Sequence, residues 1–193
     1  MTRKVGIGGG VFDPIHNGHL FLFSECADRL NLDEVLVIPA FNTVHKAVSN
    51  VSDYDHRREM TRLACIENKR FKLCEIEKDL GGPSYTLGTL RALKNEMPDT
   101  ELYFLVGMDN LEKIETWYHP EEIVEEATVV VGSRPVNTVG SSPVFKDKVR
   151  FLDMPLMQIS STDIRDRVKD GRPIRYLVPG TVEDYIYENG LYK

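Results

Sequence analysis

The chain has 193 residues, of which 41% are hydrophobic and 28% are charged, and its formal net charge is −6. This composition is typical of a globular domain that buries a core without disulfides or structural metals. The acidic balance argues against broad nucleic-acid binding, which usually shows as a basic surplus, but it allows an anionic small ligand at a local positive site. The apolar runs are too short to span a bilayer, and the first residues lack a secretory signal, so no membrane partner is expected.

Three cysteines, Cys26, Cys65 and Cys74, are widely spaced and form no paired motif. An odd number without Cys-x-x-Cys spacing predicts buried free thiols rather than a disulfide framework or a zinc site. Free thiols persist in reducing compartments, so we expect a cytoplasmic location.

Apolar stretches predict strands in chain order at residues 5–9, 35–38, 71–76, 102–106, 129–131 and 149–154. Several are β-branched and barely alternate, as expected for strands covered on both faces. Helical spacing follows the first strand at residues 20, 23, 27 and 30, and recurs at 55–68, 86–96 and 120–127. After residue 154 we predict helices only, at 161–169, 174–177 and 182–188, with Thr181 and Asp184 as a capping box for the last.

This alternation predicts an α/β fold, a Rossmann-like, doubly wound and mostly parallel sheet. We expect one domain over residues 1–193, in which residues 155–193 form a small helical C-terminal lobe. Residues 135–143 are rich in Pro, Gly, Ser and Thr and are the expected mobile loop.

The first predicted strand runs into three consecutive glycines, Gly8-Gly9-Gly10. Without Cβ atoms, such a turn lets a phosphate approach backbone N–H groups closely. The spacing fits neither the G-x-G-x-x-G dinucleotide fingerprint nor a phosphate loop ending in Gly-Lys-Ser/Thr. Taken alone, the glycines are equally compatible with a tight turn that binds nothing.

Two histidines, His16 and His19, follow at the expected start of a helix. Three residues apart, they share one face, where the helix dipole favours an anion and where Gly18 leaves room for a ligand. Imidazoles can donate hydrogen bonds to a phosphate near neutral pH. Structural histidines and a metal pair are the competing interpretations, but the nearest carboxylate is Asp13 and no His-Glu-x-x-His pattern is present.

A second segment, residues 159–165, is a predicted helix start with three hydroxyl side chains at its cap. Ile164 and Val168 form its buried stripe. Arg165 and Lys169 place cations on another face near the helix N-terminus, where the dipole disfavours them, and a bound anion would resolve that conflict.

Both segments resemble the HxGH nucleotidyltransferase superfamily, which includes nicotinate mononucleotide adenylyltransferases, phosphopantetheine adenylyltransferases and cytidylyltransferases. The first reads Gly9-Gly10-Val11-Phe12-Asp13-Pro14-Ile15-His16-Asn17-Gly18-His19, and the second reads Ile159-Ser160-Ser161-Thr162-Asp163-Ile164-Arg165. The resemblance implies an ATP site formed by Ile7, Gly8, Gly9, Phe12, His16, His19, Gly107, Asp109, Ile159, Ser160, Ser161, Thr162 and Arg165.

Further segments resemble the bacterial nicotinate mononucleotide adenylyltransferases over essentially the whole chain. They include a His-Lys pair, a Pro-Ser-Tyr-Thr turn, a Trp-Tyr pair and an Arg-Pro pair. The resemblance implies that nicotinate mononucleotide binds at His45, Lys46, Ser84, Tyr85, Thr86, Trp117, Tyr118 and Arg134. In this interpretation backbone amides near Tyr85 and Thr86 hold the nicotinate carboxylate, and Trp117, expected in a surface loop, stacks on the pyridine ring.

The resemblance implies transfer of AMP from ATP to nicotinate mononucleotide, giving nicotinate adenine dinucleotide and pyrophosphate, in NAD biosynthesis. The implied catalytic residues are His16, His19, Lys46 and Arg165, with Mg²⁺ held by the ATP phosphates and not by the protein. Val11, Val44, Gly88 and Met108 depart from the family pattern, which affects the expected substrate preference and rate rather than the reaction.

Three alternatives stay open: adenylation of nicotinamide mononucleotide, adenylation of phosphopantetheine, and a nucleotide sensor without catalysis. The sequence does not decide the oligomeric state, and a homodimer is compatible with it.

Overall fold

A computed structural model describes residues 2–43, 51–111, 113–133, 149–155 and 157–193, with all their side chains except those of Asp109 and Ser133. Its strands form one sheet, in which every neighbouring pair is parallel and the order is β3-β2-β1-β4-β5-β6. The strands are β1 (Arg3–Gly10), β2 (Glu34–Pro39), β3 (Phe71–Leu73), β4 (Thr100–Gly107), β5 (Thr128–Ser133) and β6 (Val149–Asp153).

In the described residues, helices lie between consecutive strands from β1 to β5, and two more follow β6, so the predicted doubly wound α/β fold is confirmed. They are α1 (Asn17–Arg29), α2 (Tyr54–Ile66), α3 (Ile76–Leu80), α4 (Thr86–Glu96), α5 (Met108–Leu111), a 3₁₀ helix (Ile114–Thr116), α6 (Pro120–Glu126), α7 (Ser161–Lys169) and α8 (Gly180–Glu188). The bounds of α4 and α7 are those predicted from the spacing of their apolar residues. The short α3, α5 and 3₁₀ helices were not predicted, because fewer than two turns give no readable periodicity.

The chain reverses its direction across the sheet between β1 and β4. From β1 it proceeds outward to β2 and β3, then returns to place β4 on the other side of β1 and continues to β5 and β6. In open parallel sheets, ligands bind beyond the carboxyl ends of the strands at such a switch point. The end of β1 is the glycine turn, and the end of β4 is Gly107.

Both faces of the sheet are covered by helices, as the continuous apolarity of the strands predicted. One core cluster packs α1, α2, α7 and α8 against the sheet and includes Val35, Leu105 and Val130. The other packs α4 and α6 against the opposite face and includes Val5, Phe104 and Val129. The apolar residues of α7 and α8 therefore share their core with α1 and α2.

Three local predictions were wrong. Residues 174–177 form a turn with a bridge between Arg175 and Val178 and not a helix, since prolines at 173 and 179 flank a segment too short to propagate one. The strand predicted at 71–76 ends at Leu73, and Ile76 instead begins α3 and packs into the second core cluster. The predicted capping box is absent: α8 begins at Gly180, and its N-cap, Pro179, makes no side-chain hydrogen bond.

The three cysteines are free thiols, as predicted, but Cys74, just after the short strand β3, is only partly buried and not buried as expected. Cys26 and Cys65 are buried, and burial raises the pKa of each to about 12, so neither is a reactive thiolate near neutral pH. Across the part of the chain that is described, no helix combines the length and apolar character needed to cross a membrane.

Candidate active site

A buried arginine, Arg57, supports the turn between β1 and α1 by hydrogen bonds. Arg57, on α2 and only 3% exposed, donates hydrogen bonds to the main-chain oxygens of Val11 (2.9 Å), Ala40 (2.7 Å) and Ser52 (2.9 Å). A buried guanidinium requires several acceptors, and backbone carbonyls of an irregular turn require donors. Arg57 thus satisfies the loops that follow both β1 and β2 at the carboxyl edge of the sheet.

The consecutive glycines have different environments. A Cβ on Gly8 would lie 2.5 Å from the ring of Phe23, so Gly8 is required by core packing. A Cβ on Gly9 would meet only one atom, 4.0 Å away, and Gly9 is exposed. Close approach of a ligand to the backbone is therefore possible at Gly9, whereas Gly8 serves the fold.

The two histidines stack at the start of α1, as their spacing predicted. Their ring centroids are 3.6 Å apart and the rings are inclined by 18°. His16 is the N-cap, and each Nδ1 accepts a main-chain N–H of the other residue at 3.3 Å. Because Nδ1 is an acceptor in both, the neutral rings carry their protons on Nε2. A Cβ on Gly18 would lie 3.1 Å from His16 Nδ1, so the space beside Gly18 holds that ring and not a ligand.

Burial keeps both imidazoles neutral. Desolvation lowers the pKa of His16 to about 4, and desolvation together with the neighbouring His16 lowers the pKa of His19 well below its usual range. Near neutral pH the pair therefore presents N–H donors and no net charge. These donors and the N-terminus of α1 have the chemistry that would suit a phosphate.

Helix α7 is tied to the same turn through its first residues. Ser160 caps the helix by accepting from the main-chain N–H of Asp163 (3.1 Å), as predicted. Ser161 Oγ donates to the Pro14 carbonyl (2.9 Å), and Arg165 Nη1 donates to the Asp13 carbonyl (2.7 Å). A second Arg165 bond goes to Thr162 Oγ1 (3.2 Å). Both acceptors of Arg165 are neutral, so its positive charge remains available to an anion. Lys169, expected near the helix N-terminus, is instead the last residue of α7, where the dipole favours a cation.

A cavity of about 380 Å³ opens at the switch point, between β1, β4 and α7. It brings together residues of both predicted motifs and of the predicted acceptor site. Of the residues predicted from the sequence, its lining includes Gly9, Phe12, His19, Ser84, Thr86, Gly107, Trp117, Ser161, Thr162 and Arg165.

A smaller cavity of about 160 Å³ adjoins it and shares Ser84, Thr86 and Trp117. Tyr85 and Tyr118 line this second cavity and stack on each other at 4.6 Å. Trp117 is half-buried rather than loop-exposed, with its ring edge-on to Phe104 at 5.9 Å. Trp117 therefore lies between the two cavities, fixed by the core behind it.

The Pro-Ser-Tyr-Thr turn is joined to the loop after β2 by Asn42. The main-chain N–H of Asn42 donates to Ser84 Oγ (3.0 Å), and that of Ser84 donates to the Asn42 carbonyl (2.9 Å). The N–H of Tyr85 is used within the turn, by the Pro83 carbonyl (2.8 Å). The N-terminus of α4, which begins at Thr86, has no side-chain cap. The amides free to meet a ligand thus start at Thr86 and not at Tyr85.

Some predicted residues lie elsewhere. Ile7 is 2% exposed in the core, and His16 is 5% exposed behind His19. Gly8, Ile159 and Ser160 are also outside the lining of the large cavity. His45, Lys46 and Arg134, the departure Val44 and the loop 135–143 lie outside the described residues, as does the side chain of Asp109.

Several residues of the site were not predicted. Glu77 is 8% exposed, lines the large cavity and accepts from Thr89 Oγ1 (2.9 Å) and the Phe41 N–H (3.3 Å). Arg57, Asn42 and Asn110 were also missed. A charged residue on a helix gives no local signal of burial, so Arg57 and Glu77 could not be distinguished from solvated surface.

The carboxylates of the cavity fit a metal held by a ligand's phosphates better than one held by the protein. Asp13 accepts from the Ser52 N–H (3.1 Å) and from Tyr192 Oη (2.7 Å), and Glu77 has two donors as well. A protein-bound cation would have to displace these donors. Among the described residues, the cluster with metal-ligand spacing is His119, Glu121 and Glu122 on the surface, outside the lining of both cavities.

The chain is similar to a known protein family, to named relatives and to solved structures. The cytidylyltransferase-like family matches residues 7–167. A relative from Corynebacterium glutamicum, described as a "Probable nicotinate-nucleotide adenylyltransferase", is 42% identical over 98% of this chain and 88% of its own length. One from Bacillus licheniformis with the same description is 40% identical over 99% of each chain.

Among solved structures, the Plasmodium falciparum nicotinic acid mononucleotide adenylyltransferase complexed with NaAD superposes with a TM-score of 0.79. It covers 98% of this chain and 97% of its own, at 20% identity. At an identity that low, the superposition shows likeness of fold alone. This likeness covers nearly the whole chain.

Proposed function

Because the chain belongs to the nicotinate-nucleotide adenylyltransferases of the cytidylyltransferase-like family, we propose that it transfers AMP from ATP to nicotinate mononucleotide. The products are nicotinate adenine dinucleotide and pyrophosphate. The single observation that carries this proposal is the large cavity at the switch point, which His19 and Arg165 line together with Thr86 and Trp117.

The proposed reaction needs no protein nucleophile. An oxygen of the 5′-phosphate of nicotinate mononucleotide attacks the α-phosphorus of ATP. The bond from that phosphorus to the β-phosphate bridging oxygen breaks, and pyrophosphate leaves with the electron pair. Catalysis then consists of positioning and charge stabilisation.

The chain's residues divide this work between them. His19 donates from Nε2, with His16 stacked behind it to fix the ring. Arg165, which α7 places against the Asp13 carbonyl, contributes a full positive charge. We propose that Lys46, from the sequence resemblance, is a second cation, with His45 beside it. Mg²⁺ bound to the triphosphate would neutralise charge on the phosphates.

The acid is favoured over the amide as the second substrate by the N-terminus of α4. Helix α4 spans 11 residues, lacks a side-chain cap and begins at Thr86, which lines both cavities. Its uncapped N–H groups and dipole suit the carboxylate of nicotinate, whereas a carboxamide carries no charge to gain from them. Trp117 and Tyr118 supply aromatic surface for the pyridine ring.

The test is pyrophosphate release from ATP and Mg²⁺ with each acceptor. We expect turnover with nicotinate mononucleotide, at least about tenfold higher kcat/KM than with nicotinamide mononucleotide, and none with phosphopantetheine. His19→Ala should lower kcat by roughly a hundredfold or more while the circular dichroism spectrum is retained. No release with any acceptor, despite ATP binding, would instead support a nucleotide sensor.

Three further properties belong to the proposal. We propose a cytoplasmic enzyme, in line with its free thiols, that binds small molecules and not nucleic acid.

A divalent cation should be required, and chelation by EDTA should stop turnover until Mg²⁺ is restored. Sedimentation equilibrium would decide between a monomer and a homodimer.

A further inference from the structure

Tyr192 lies beyond α8 and reaches back to the β1–α1 turn. The chain closes α8 with a hydrogen bond from the Leu191 N–H to the Ile186 carbonyl (3.0 Å), and Tyr192 then adopts a positive φ of 64°. Its ring is half-buried against the first core cluster. From there its hydroxyl donates to Asp13 Oδ1 at 2.7 Å.

Asp13 depends on that hydroxyl. Asp13 is only 2% exposed, and the second oxygen of its carboxylate, Oδ2, accepts from the Ser52 N–H at 3.1 Å. Without Tyr192 Oη, one oxygen of a buried carboxylate would lose its donor, and leaving a buried charge under-satisfied is costly. The carboxylate would then shift, drawn by the positive charge of nearby Arg57.

A shift of Asp13 is transmitted directly to Arg165. The main-chain carbonyl of Asp13 accepts from Arg165 Nη1 at 2.7 Å. Asp13 therefore contacts Tyr192 through its side chain and Arg165 through its backbone. Ser161 Oγ, on the adjacent Pro14 carbonyl, ties the start of α7 to the same stretch.

We propose that Tyr192 is a positioning residue of the ATP site: its hydroxyl fixes Asp13, whose carbonyl directs the Arg165 guanidinium into the cavity. The inference rests on the proposed function, in that Arg165 is taken to contact ATP. Burial and the charge of Asp13 hold the pKa of Tyr192 well above its usual range, so the phenol remains a donor near neutral pH.

The test is Tyr192→Phe, which removes one oxygen and keeps the ring. The matched control is Tyr187→Phe on α8, where the side chain is 43% exposed. We expect Tyr192→Phe to fold and to lose about tenfold or more in kcat, because small misplacements of a catalytic group are costly. KM for nicotinate mononucleotide should change less than about twofold, and the control should match the wild type.

A double-mutant cycle with Asp13→Asn tests the route. Since Tyr192 acts through Asp13, we expect Tyr192→Phe to cost far less in kcat when Asp13 is already replaced. An equal loss in both backgrounds, or a kcat within twofold of the wild type for Tyr192→Phe alone, would overturn the inference. So would a Tyr192→Phe protein that fails to fold, because the hydroxyl would then serve the fold itself.

ATP affinity, measured by calorimetry without any acceptor, separates this inference from the proposed function. A weaker affinity in Tyr192→Phe, with no change in Tyr187→Phe, would support the positioning role even if nicotinate mononucleotide proved to be the wrong acceptor. Equal ATP affinities in the wild type and in Tyr192→Phe would overturn the role while leaving the reaction untouched.

Discussion

At the scale of single residues, hydrogen bonds hold several buried polar side chains of the candidate site in place. The histidines cap a helix with each other, and Arg57 satisfies three loop carbonyls. Asp13 and Glu77 each accept from two donors. Such groups are rigid before a ligand arrives, so little reorganisation is needed when phosphate charge develops. Protonation of a buried histidine would disturb this arrangement, so the site is sensitive to acid.

We predict that His16 makes the folded protein acid-sensitive. Its pKa is about 4 in the folded state against 6.5 in the unfolded chain, so below pH 6.5 the unfolded chain binds more protons. Stability is therefore fully present above pH 6.5 and is lost as the pH falls toward 4, by about 2 kcal/mol between pH 7 and pH 5.

His16→Asn keeps an N-cap acceptor and removes this titration. Urea unfolding of both proteins at pH 7 and pH 5 measures the difference. The variant should lose about 2 kcal/mol less than the wild type on acidification. Parallel losses in the two proteins would show that His16 is not the responsible group.

At the scale of secondary-structure elements, the proposed site is built around the N-terminal ends of three helices. The first turns of α1, α4 and α7 contain residues that line the two cavities. Each first turn leaves backbone N–H groups unsatisfied by the helix, and anions are the natural partners of such groups. Side chains cap α1 and α7 but not α4.

Replacing a glycine by alanine should change the stability of the protein in opposite directions at two positions. Gly88, in the first turn of α4, is exposed and would place a Cβ in open space, so Gly88→Ala should stabilise the protein by about 0.5–1 kcal/mol. Gly8→Ala would force a Cβ to within 2.5 Å of Phe23 and should destabilise it by about 1–3 kcal/mol. Urea midpoints of the two variants measure both effects, and a stabilised Gly8→Ala protein would refute this account of the first strand.

At the scale of the whole molecule, the sheet unites two cores. The residues of α7 and α8 share a cluster with α1 and α2, and strands β2, β4 and β5 contribute side chains to both clusters. A sheet buried on both faces couples the helices of one side to those of the other. We infer that residues 1–193 form one domain.

One domain predicts one unfolding transition. The only tryptophan, Trp117, packs against the second cluster, so its fluorescence reports that side of the sheet, whereas circular dichroism reports all helices. We expect the two signals to coincide in urea. Separate midpoints would indicate that the C-terminal helices unfold as an independent lobe.

The sequence by itself determined the elements with strong periodicity and the site segments that are contiguous. Helices α4 and α7 were predicted to the residue, and the glycine turn, the histidine pair and the cap of α7 follow local rules of spacing and chemistry. Short helices such as α3 and the turn at 174–177 were missed, because they depend on a few contacts rather than on a repeated pattern.

Only the tertiary structure decided which polar residues are buried and which distant residues meet. Arg57 looks like any helix-surface arginine in the sequence, yet three loop carbonyls surround it. Tyr192 and Asp13 are 179 positions apart and share a hydrogen bond of 2.7 Å. Burial and long-range contact are properties of the packed chain: local propensity acts over a few residues, whereas the partner of a buried charge is chosen by where the whole sheet places it.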